Sequence, residues 1–421
     1  MSLDRRDFLK VSAGAAGAAI LASACSIEKS DSPSPIKKLR PMTDGIIPIS
    51  DDERRARMEK ARRLMIESKI DAIYLEAGTS LFYFTGIRWG ISERMFAAVL
   101  SARGELAYIC PKFEEDRARE LIRFGDDVRT WEEHESPYKR VAQIFKDWGI
   151  KKGKIGIEER VRFFLFDGIR KEAPGLEYVS ADPITIPCRV IKSPQEIALM
   201  QIASDITIEA YKASVALLKK GMTKDDFREI STASHRALGV SGGIGCQIAE
   251  ASSQPHGSIR LIELKEGDIV LMDGGCRVDG YRSDISRTIV FGEPTKRQRD
   301  IWNLASRAKA AAFAAGGVGV PCEDVDAASR QVHIDYGFGP GYKVPGCPHR
   351  TGHGIGLDGH EWINLVKGNK TPMEVGMCFS NEPMVVIPGE FGVRLEDCMY
   401  ITNEGSKYFS GPSPSIEQPF I

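Results

Sequence analysis

Ile269-Val-Leu-Met-Asp-Gly-Gly-Cys-Arg-Val-Asp-Gly-Tyr-Arg-Ser-Asp284 carries two carboxylates, Asp273 and Asp284, on either side of a glycine-rich turn. The apolar run ending in Asp273 reads as a strand, and the turn would return the chain as an adjacent antiparallel strand, so the two acids meet inside a sheet. Burying like charges is costly unless something positive neutralises them. No lysine lies between the two, and Arg282 and Arg287 only flank them, so a bound metal ion is the simplest answer. Either aspartate alone would read as a cap at a strand end; further acids downstream change that balance.

Phe379-Ser-Asn-Glu382 and Gly392-Val-Arg-Leu-Glu396 each place a glutamate in an apolar, strand-like setting, where an unpaired carboxylate is again unfavourable. Histidines supply the other ligand type. Three of the chain's seven fall in His349-Arg-Thr-Gly-His353-Gly-Ile-Gly-Leu-Asp-Gly-His360, and His256, after Pro255, is a fourth candidate. The glycines around them let the backbone approach a ligand closely, whereas His134, His235 and His333 read as ordinary surface or core residues. Four carboxylates and one neutral imidazole carry a charge of minus four, which two divalent cations would balance. Oxygen-rich ligation favours Mn²⁺ or a similar ion. Two metals sharing carboxylates would activate one bridging hydroxide at neutral pH and polarise a carbonyl, which is amide hydrolysis chemistry.

Outward from this constellation, 421 residues with 42% hydrophobic and 27% charged side chains describe a soluble chain of about two domains. Lys+Arg 57 against Asp+Glu 58 leaves a formal charge of -1. With no basic field to hold nucleic acid, a small or neutral partner fits best. A charged helix is expected over residues 51–67, with Met58, Ala61, Leu64 and Met65 on one face. Strands follow at 71–75, 95–100, 105–110 and 154–158, and helices at 114–123 and 138–148, an alternation that suggests a sheet flanked by helices. Near Pro187 the pattern changes, and a long amphipathic helix over 195–220 opens the second half. Strands at 268–273, 287–291, 377–382 and 393–402 and a helix at 296–315 complete it.

The N-terminus differs in kind: Arg5-Arg6-Asp7-Phe8-Leu9-Lys10 precedes a small-residue apolar run from Val11 to Ala24, too short to span a bilayer stably. It resembles a twin-arginine export signal, cleaved near Ala22-Ser23-Ala24-Cys25. Ala-Ser-Ala suits removal as a soluble protein, while Cys25 after small residues resembles a lipoprotein box, with Ala22 where leucine is usual. Lipidation at Cys25 would make the following Ser/Pro/Lys-rich stretch a tether, so the destination reads as periplasmic or membrane-anchored. The other eight cysteines are scattered without CxxC pairs, and read as buried small hydrophobes.

The order Asp273, Asp284, His353, Glu382, Glu396, with the aspartates eleven positions apart, resembles the pita-bread metallopeptidases, which include methionine aminopeptidases, proline aminopeptidases and prolidases. The first half is similar to the creatinase/prolidase N-terminal domain in Leu81-Phe-Tyr-Phe-Thr-Gly86 and Arg189-Val-Ile-Lys-Ser-Pro-Gln-Glu-Ile197. The fold implied is an α/β N-terminal domain followed by an α+β pita-bread catalytic domain. The divisions expected are a signal peptide over 1–25, a flexible leader over 26–45, the N-terminal domain over 46–187 and the metallopeptidase domain over 188–421.

Carried over residue by residue, the resemblance implies that Asp273 binds one metal, that Asp284 and Glu396 bridge both, and that His353 and Glu382 complete the second. Glu382 would also shuttle the proton of the attacking water. His256 and His360 would contact the substrate and steady the tetrahedral intermediate, while His349 and Arg394 would line the pocket around the proline side. The activity implied is hydrolysis of Xaa-Pro bonds in dipeptides or at peptide N-termini, with two Mn²⁺ ions (Co²⁺ or Zn²⁺ as alternatives), a small peptide substrate and a homodimeric assembly. The competing readings are a lyase or organophosphate hydrolase on the same metals and a non-catalytic binding protein, whose signature would be lost ligands; all five are present.

Overall fold

A computed structural model of the chain describes residues 34–421 except His256. The export signal and Cys25 lie outside the described residues, and so does His256. The first long helix forms over Asp51–Ser68, where Ser50 accepts a hydrogen bond from the Glu53 amide and three acids occupy the first turn, each favourable at the positive end of the helix dipole. Lys69, at φ 56, stops it. Met58, Ala61 and Met65 are buried on its inner face, with Leu64 half-buried beside them.

Six strands follow: β1 (Ala72–Glu76), β2 (Ala97–Ser101), β3 (Leu106–Pro111), β4 (Asp127–Trp131), β5 (Lys154–Ile157) and β6 (Glu177–Ser180). They form one sheet in the order β4-β3-β2-β1-β5-β6. The pairs β1/β2 and β2/β3 are antiparallel, and β3/β4, β1/β5 and β5/β6 are parallel. β1 and β2 are buried throughout because helices cover both faces. Leu81 to Thr85, apolar all round, belong to a buried helix over Thr79–Thr85 that Gly86 closes at φ 78. The break expected at Pro187 is instead the interior of a helix over Asp182–Val190. The chain leaves that helix at Ile191, which bridges to Met377.

The helix expected from residue 195 spans Pro194–Val215 behind a capping box between Ser193 and Glu196, and packs on the strands that carry the first two acids. These are β7 (Gly242–Ile248), β8 (Ile269–Val278), β9 (Tyr281–Arg282) and β10 (Ile285–Val290), with β8 central between β10 and β7. β11 (Gly352–Gly354), β12 (Glu361–Leu365), β13 (Cys378–Asn381), β14 (Met384–Ile387), β15 (Phe391–Arg394), β16 (Asp397–Thr402) and β17 (Gly405–Tyr408) complete the fold. The order β12-β11-β13-β16-β17 makes a second antiparallel sheet, and β14 pairs with β15 alone.

Three expectations change. β8 does not end at Asp273 but runs on through Gly274-Gly275 to Val278, and the turn between the two aspartates is Asp279-Gly280, at φ 45 and φ 95, the two-residue hairpin favoured by Asp-Gly. The strand expected over 393–402 is two strands with different partners, β15 on β14 and β16 on β13. Of the four acids expected in strand interiors, only Asp273 is in one. Asp284 lies between β9 and β10, Glu382 between β13 and β14, and Glu396 between β15 and β16. The cause is a change of partner: Glu396 gives its backbone N–H to Ser286 at 3.0 Å, so the chain passes from one sheet to the next at the acid.

All eight described cysteines are buried and unpaired, in keeping with their reading as small hydrophobes. The N-terminal sheet and the second half meet at ionic contacts. Glu361 Oε2 lies 2.9 Å from Lys192 Nζ and its Oε1 2.5 Å from Arg189, which also reaches Asp358 at 2.7 Å. Burial alone would raise the Glu361 pKa, but Arg189 and Lys192 outweigh it and hold the carboxyl at about 2. Glu361→Ala would leave two cations buried without their partner, and is expected to cost about 3–5 kcal/mol, read as a lower urea midpoint at pH 7. Because the folded value lies below the ordinary 4.5, this contribution is present above 4.5 and fades as pH falls toward about 2.

Candidate metal centre

Asp273 and Asp284 are brought together by pairing of β8 with β10, in which Asp273 faces Ser286. Close approach of the flanking backbone requires glycine: a Cβ on Gly274 would lie 2.2 Å from the Gly243 carbonyl oxygen, and one on Gly275 2.2 Å from that of Ser283. Asp284, His353 and Glu396 offer ligand atoms that all lie within 4.8 Å of one another. Glu382 Oε1 is 3.1 Å from His353 Nε2. His353 Nδ1 lies 3.0 Å from the Gly354 carbonyl oxygen, which turns Nε2 toward the acids, as in histidines that ligate metals.

Ser286, which the sequence reading missed, ties the cluster together. Its Oγ lies 2.9 Å from Asp273 Oδ1 and 2.6 Å from Glu396 Oε2, and accepts from Arg394 Nε at 2.9 Å. A hydroxyl has one proton to donate, so one of these two carboxylate oxygens needs another proton or a cation. Glu396 Oε1 is buried with no partner. Burial and the neighbouring Asp284 push the Glu396 carboxyl well above the usual range, and burial with the Asp273 charge lifts Asp284 to about 7. Such raised values mark carboxylates short of positive charge. The donor set, four acids and one imidazole with an orphaned oxygen, fits two divalent cations.

Arg394 turns onto the acids, with Nη2 2.6 Å from Asp273 Oδ2 and Nη1 3.9 Å from Glu382 Oε2. Burial alone would raise Glu382, yet its hydrogen bond to His353 and the charges of His353 and Arg394 hold it at about 2. Burial lowers His353, but the same bond raises it overall. Behind Glu396, the buried Asp397 receives Arg287 at 2.7 Å and also pairs with Lys309, while Arg287 Nη1 donates to the Glu396 carbonyl at 2.8 Å. The Glu396-Asp397 doublet was the sequence sign of this support; Lys309 left none, being 88 positions away.

The acids open into a cleft of about 530 Å³ that His349, Arg350, His353, His360 and Arg394 also line. His349 is half-buried, its Nδ1 2.7 Å from the Arg350 carbonyl oxygen and its Nε2 buried without a partner. Burial pushes its pKa down. His360 is exposed, its ring 4.0 Å from that of His353. By contrast His235 and His333 are core residues bonded to backbone carbonyls, and His134 lies on the surface.

The chain belongs to metallopeptidase family M24, whose model matches residues 198–403, while the creatinase/prolidase N-terminal domain matches residues 57–191. It is 33% identical over 384 residues to an uncharacterized peptidase of Schizosaccharomyces pombe, covering 85% of this chain and 82% of that one. It is 29% identical to the Xaa-Pro dipeptidase of Lactobacillus helveticus over 84% of this chain and 96% of that one. Among solved structures it is similar to a dipeptidase from Pyrococcus horikoshii OT3, with TM-score 0.77 and 28% identity over 87% of this chain and 99% of that one. A prolidase from Thermococcus sibiricus gives TM-score 0.79 and 26% identity over 86% and 98%.

The raised values of Asp284 and His353 mean that the metal-free fold binds protons more tightly than the unfolded chain. Stability from these groups is full below their ordinary values and is lost as pH rises, for Asp284 between 3.8 and about 7. The depressed Glu382 acts in the opposite sense only below 4.5. Metal-stripped protein should therefore melt at a lower temperature at pH 7.5 than at pH 5. Added Mn²⁺ should raise melting more at pH 7.5, since the ligands must lose protons to bind it. Scanning calorimetry at the two pH values checks both.

Proposed function

We propose that the protein hydrolyses the peptide bond before proline in Xaa-Pro dipeptides, using two Mn²⁺ ions. The observation that carries this reading is the convergence of Asp273, Asp284, His353, Glu382 and Glu396 in one cleft, in a chain that aligns along nearly the whole length of proteins named Xaa-Pro dipeptidase. Oxygen-rich ligation with one imidazole favours Mn²⁺ over softer ions. Bound there, the metals would supply Lewis acidity toward water and toward the substrate carbonyl. Asp273, Asp284, His353, Glu382 and Glu396 would together hold the two ions. Arg394 and Ser286 hold Asp273 in place. Glu382, at the cleft wall, would take the proton of the attacking water on Oε and return it to the leaving proline nitrogen, which has no hydrogen of its own, while the water oxygen becomes part of the new carboxylate. His349 is neutral near pH 7 and offers Nε2 to a substrate group, and His360 stands at the open side of His353, where it steadies the developing oxyanion.

The decisive assay follows Ala-Pro, Gly-Pro, Ala-Pro-Ala and Ala-Ala-Ala with metal-stripped protein, with and without Mn²⁺. Mn²⁺-dependent cleavage of the two Xaa-Pro dipeptides, with the tripeptides cut far more slowly, is expected. Faster cleavage of Ala-Pro-Ala would make the protein an aminopeptidase. Absence of any cleavage by protein shown to hold two metals would overturn the reading. Glu382→Gln should lower kcat by about a hundred- to ten-thousand-fold.

The N-terminal segment supports export by the twin-arginine route, since Arg5-Arg6 precedes a short small-residue apolar run. In this reading the protein is periplasmic, or held on a membrane by a lipid at Cys25, and acts as a homodimer. A chain folded before export loads its metal in the cytoplasm. Exchange of Arg5 and Arg6 for lysine should leave the protein in the cytoplasm, as fractionation and blotting would reveal; export undiminished by the exchange would rule this route out.

A further inference from the structure

The β8–β9 hairpin sets Arg277 directly opposite Arg282. Like charges facing each other across an antiparallel pair are destabilising; Arg57, Arg189 and Arg287 are matched with Glu196, Asp358 and Asp397, whereas this pair has no such match. Among the described residues neither Arg277 nor Arg282 has a carboxylate within 4.0 Å. Arg282 Nε is buried with no partner. Two neighbouring acids are already engaged, Asp279 with Arg88 and the Ile49 amide and Asp358 with Arg189 and Arg160, and Asp284, two residues from Arg282, belongs to the metal centre.

Both arginines line a cavity of about 450 Å³ whose remaining wall includes Gly243, Gly274, Ser283 and Asp284. This cavity and the main cleft divide β8 between them. Leu271 and Asp273 line the cleft, Gly274 to Arg277 line the cavity, and Asp284 faces both. Asp284 therefore stands between the two spaces, so the cavity adjoins the metal centre. Alternation along β8 puts Arg277 on the same face as Asp273.

We propose that the Arg277–Arg282 pair is a specificity subsite that binds the side-chain carboxylate of an acidic residue preceding proline; this rests on the Xaa-Pro dipeptidase reading. Arg277 is four residues from Asp273, roughly 13 Å along the strand. Even with its side chain reaching back, a guanidinium there is poorly placed for the α-carboxylate on the ring next to the cut bond. It is well placed for a carboxylate at the end of a two-methylene side chain, so glutamate is favoured over aspartate. Two facing guanidiniums relieve each other's repulsion by sharing that anion.

The test compares kcat/KM for Glu-Pro, Gln-Pro, Ala-Pro and Ala-Pro-amide in the Mn²⁺-loaded full chain and in Arg277→Gln/Arg282→Gln. Glu-Pro should exceed Gln-Pro by at least about tenfold in the wild type, and that ratio should fall toward one in the variant. A wild-type ratio at or below one, or a ratio that survives the exchange, would overturn the proposal. So would a loss that falls on Ala-Pro but spares Ala-Pro-amide, since the pair would then hold the free C-terminus. Calorimetric titration with glutarate gives a reading even if no Xaa-Pro peptide is cut: wild type should bind it at least about tenfold tighter than the variant, and equal binding would count against the subsite. Each single exchange should raise, not lower, the melting temperature of the ligand-free protein by relieving the repulsion; a fall would show the pair to be structural.

Discussion

Crowded negative charge at one point governs the second half of this molecule. Asp273 and Asp284 on one segment and Glu382 and Glu396 on another, 98 positions further on, converge, and the protein's own cations do not cancel them. Arg394 reaches Asp273 closely and Glu382 at longer range, leaving Asp284 and Glu396 with raised pKa values and Glu396 with an unpartnered oxygen. A fold tolerates such a concentration only if another positive species completes it. The surrounding arrangement is devoted to holding acids where they would not stay unaided.

Sheet topology is how that is done. Three of the four acids sit at points where the chain leaves one strand and joins another, so their backbones are fixed by neighbours on both sides while their side chains point into a common space. The bridge between Ser286 and Glu396 fastens the two sheets at the centre. Asp397, turned away from the centre, anchors the same peptide through Arg287 and Lys309. Adjacent acids thus have opposite tasks, one facing the cleft and one facing the core.

Much of this was legible in the sequence because the acids and glycines are local signals. The run 269–284 announced a hairpin bearing two carboxylates, and the apolar context of Glu382 and Glu396 marked them as unusual. The first strand was ended too early, at Asp273, because the glycines after it break the apolar run; Gly274-Gly275 serve the close approach of Gly243 and Ser283, a tertiary demand that no local pattern carries. The unbroken strand expected over 393–402 failed for a related reason: apolar alternation continues through Leu395, and only the change of partner interrupts it. The change of pattern near Pro187 falls inside a helix over Asp182–Val190. Ser286 and Lys309 were illegible, since a serine in a strand and a lysine in a helix look ordinary until their distant partners are known.

The buried cysteines have a consequence for the chemistry the protein can withstand. Burial lifts the thiols of Cys188 and Cys322 to about 11 and those of Cys246 and Cys378 to about 12. At pH 7 a thiol of pKa 11 is ionised in about one molecule in ten thousand, and the thiolate is the form that attacks disulfides and reacts with peroxide. Oxidants and mixed disulfides meet, in the folded state, sulfur that is both out of contact and protonated. Its redox inertness is thus a property of the packed interior, and lasts as long as the interior does.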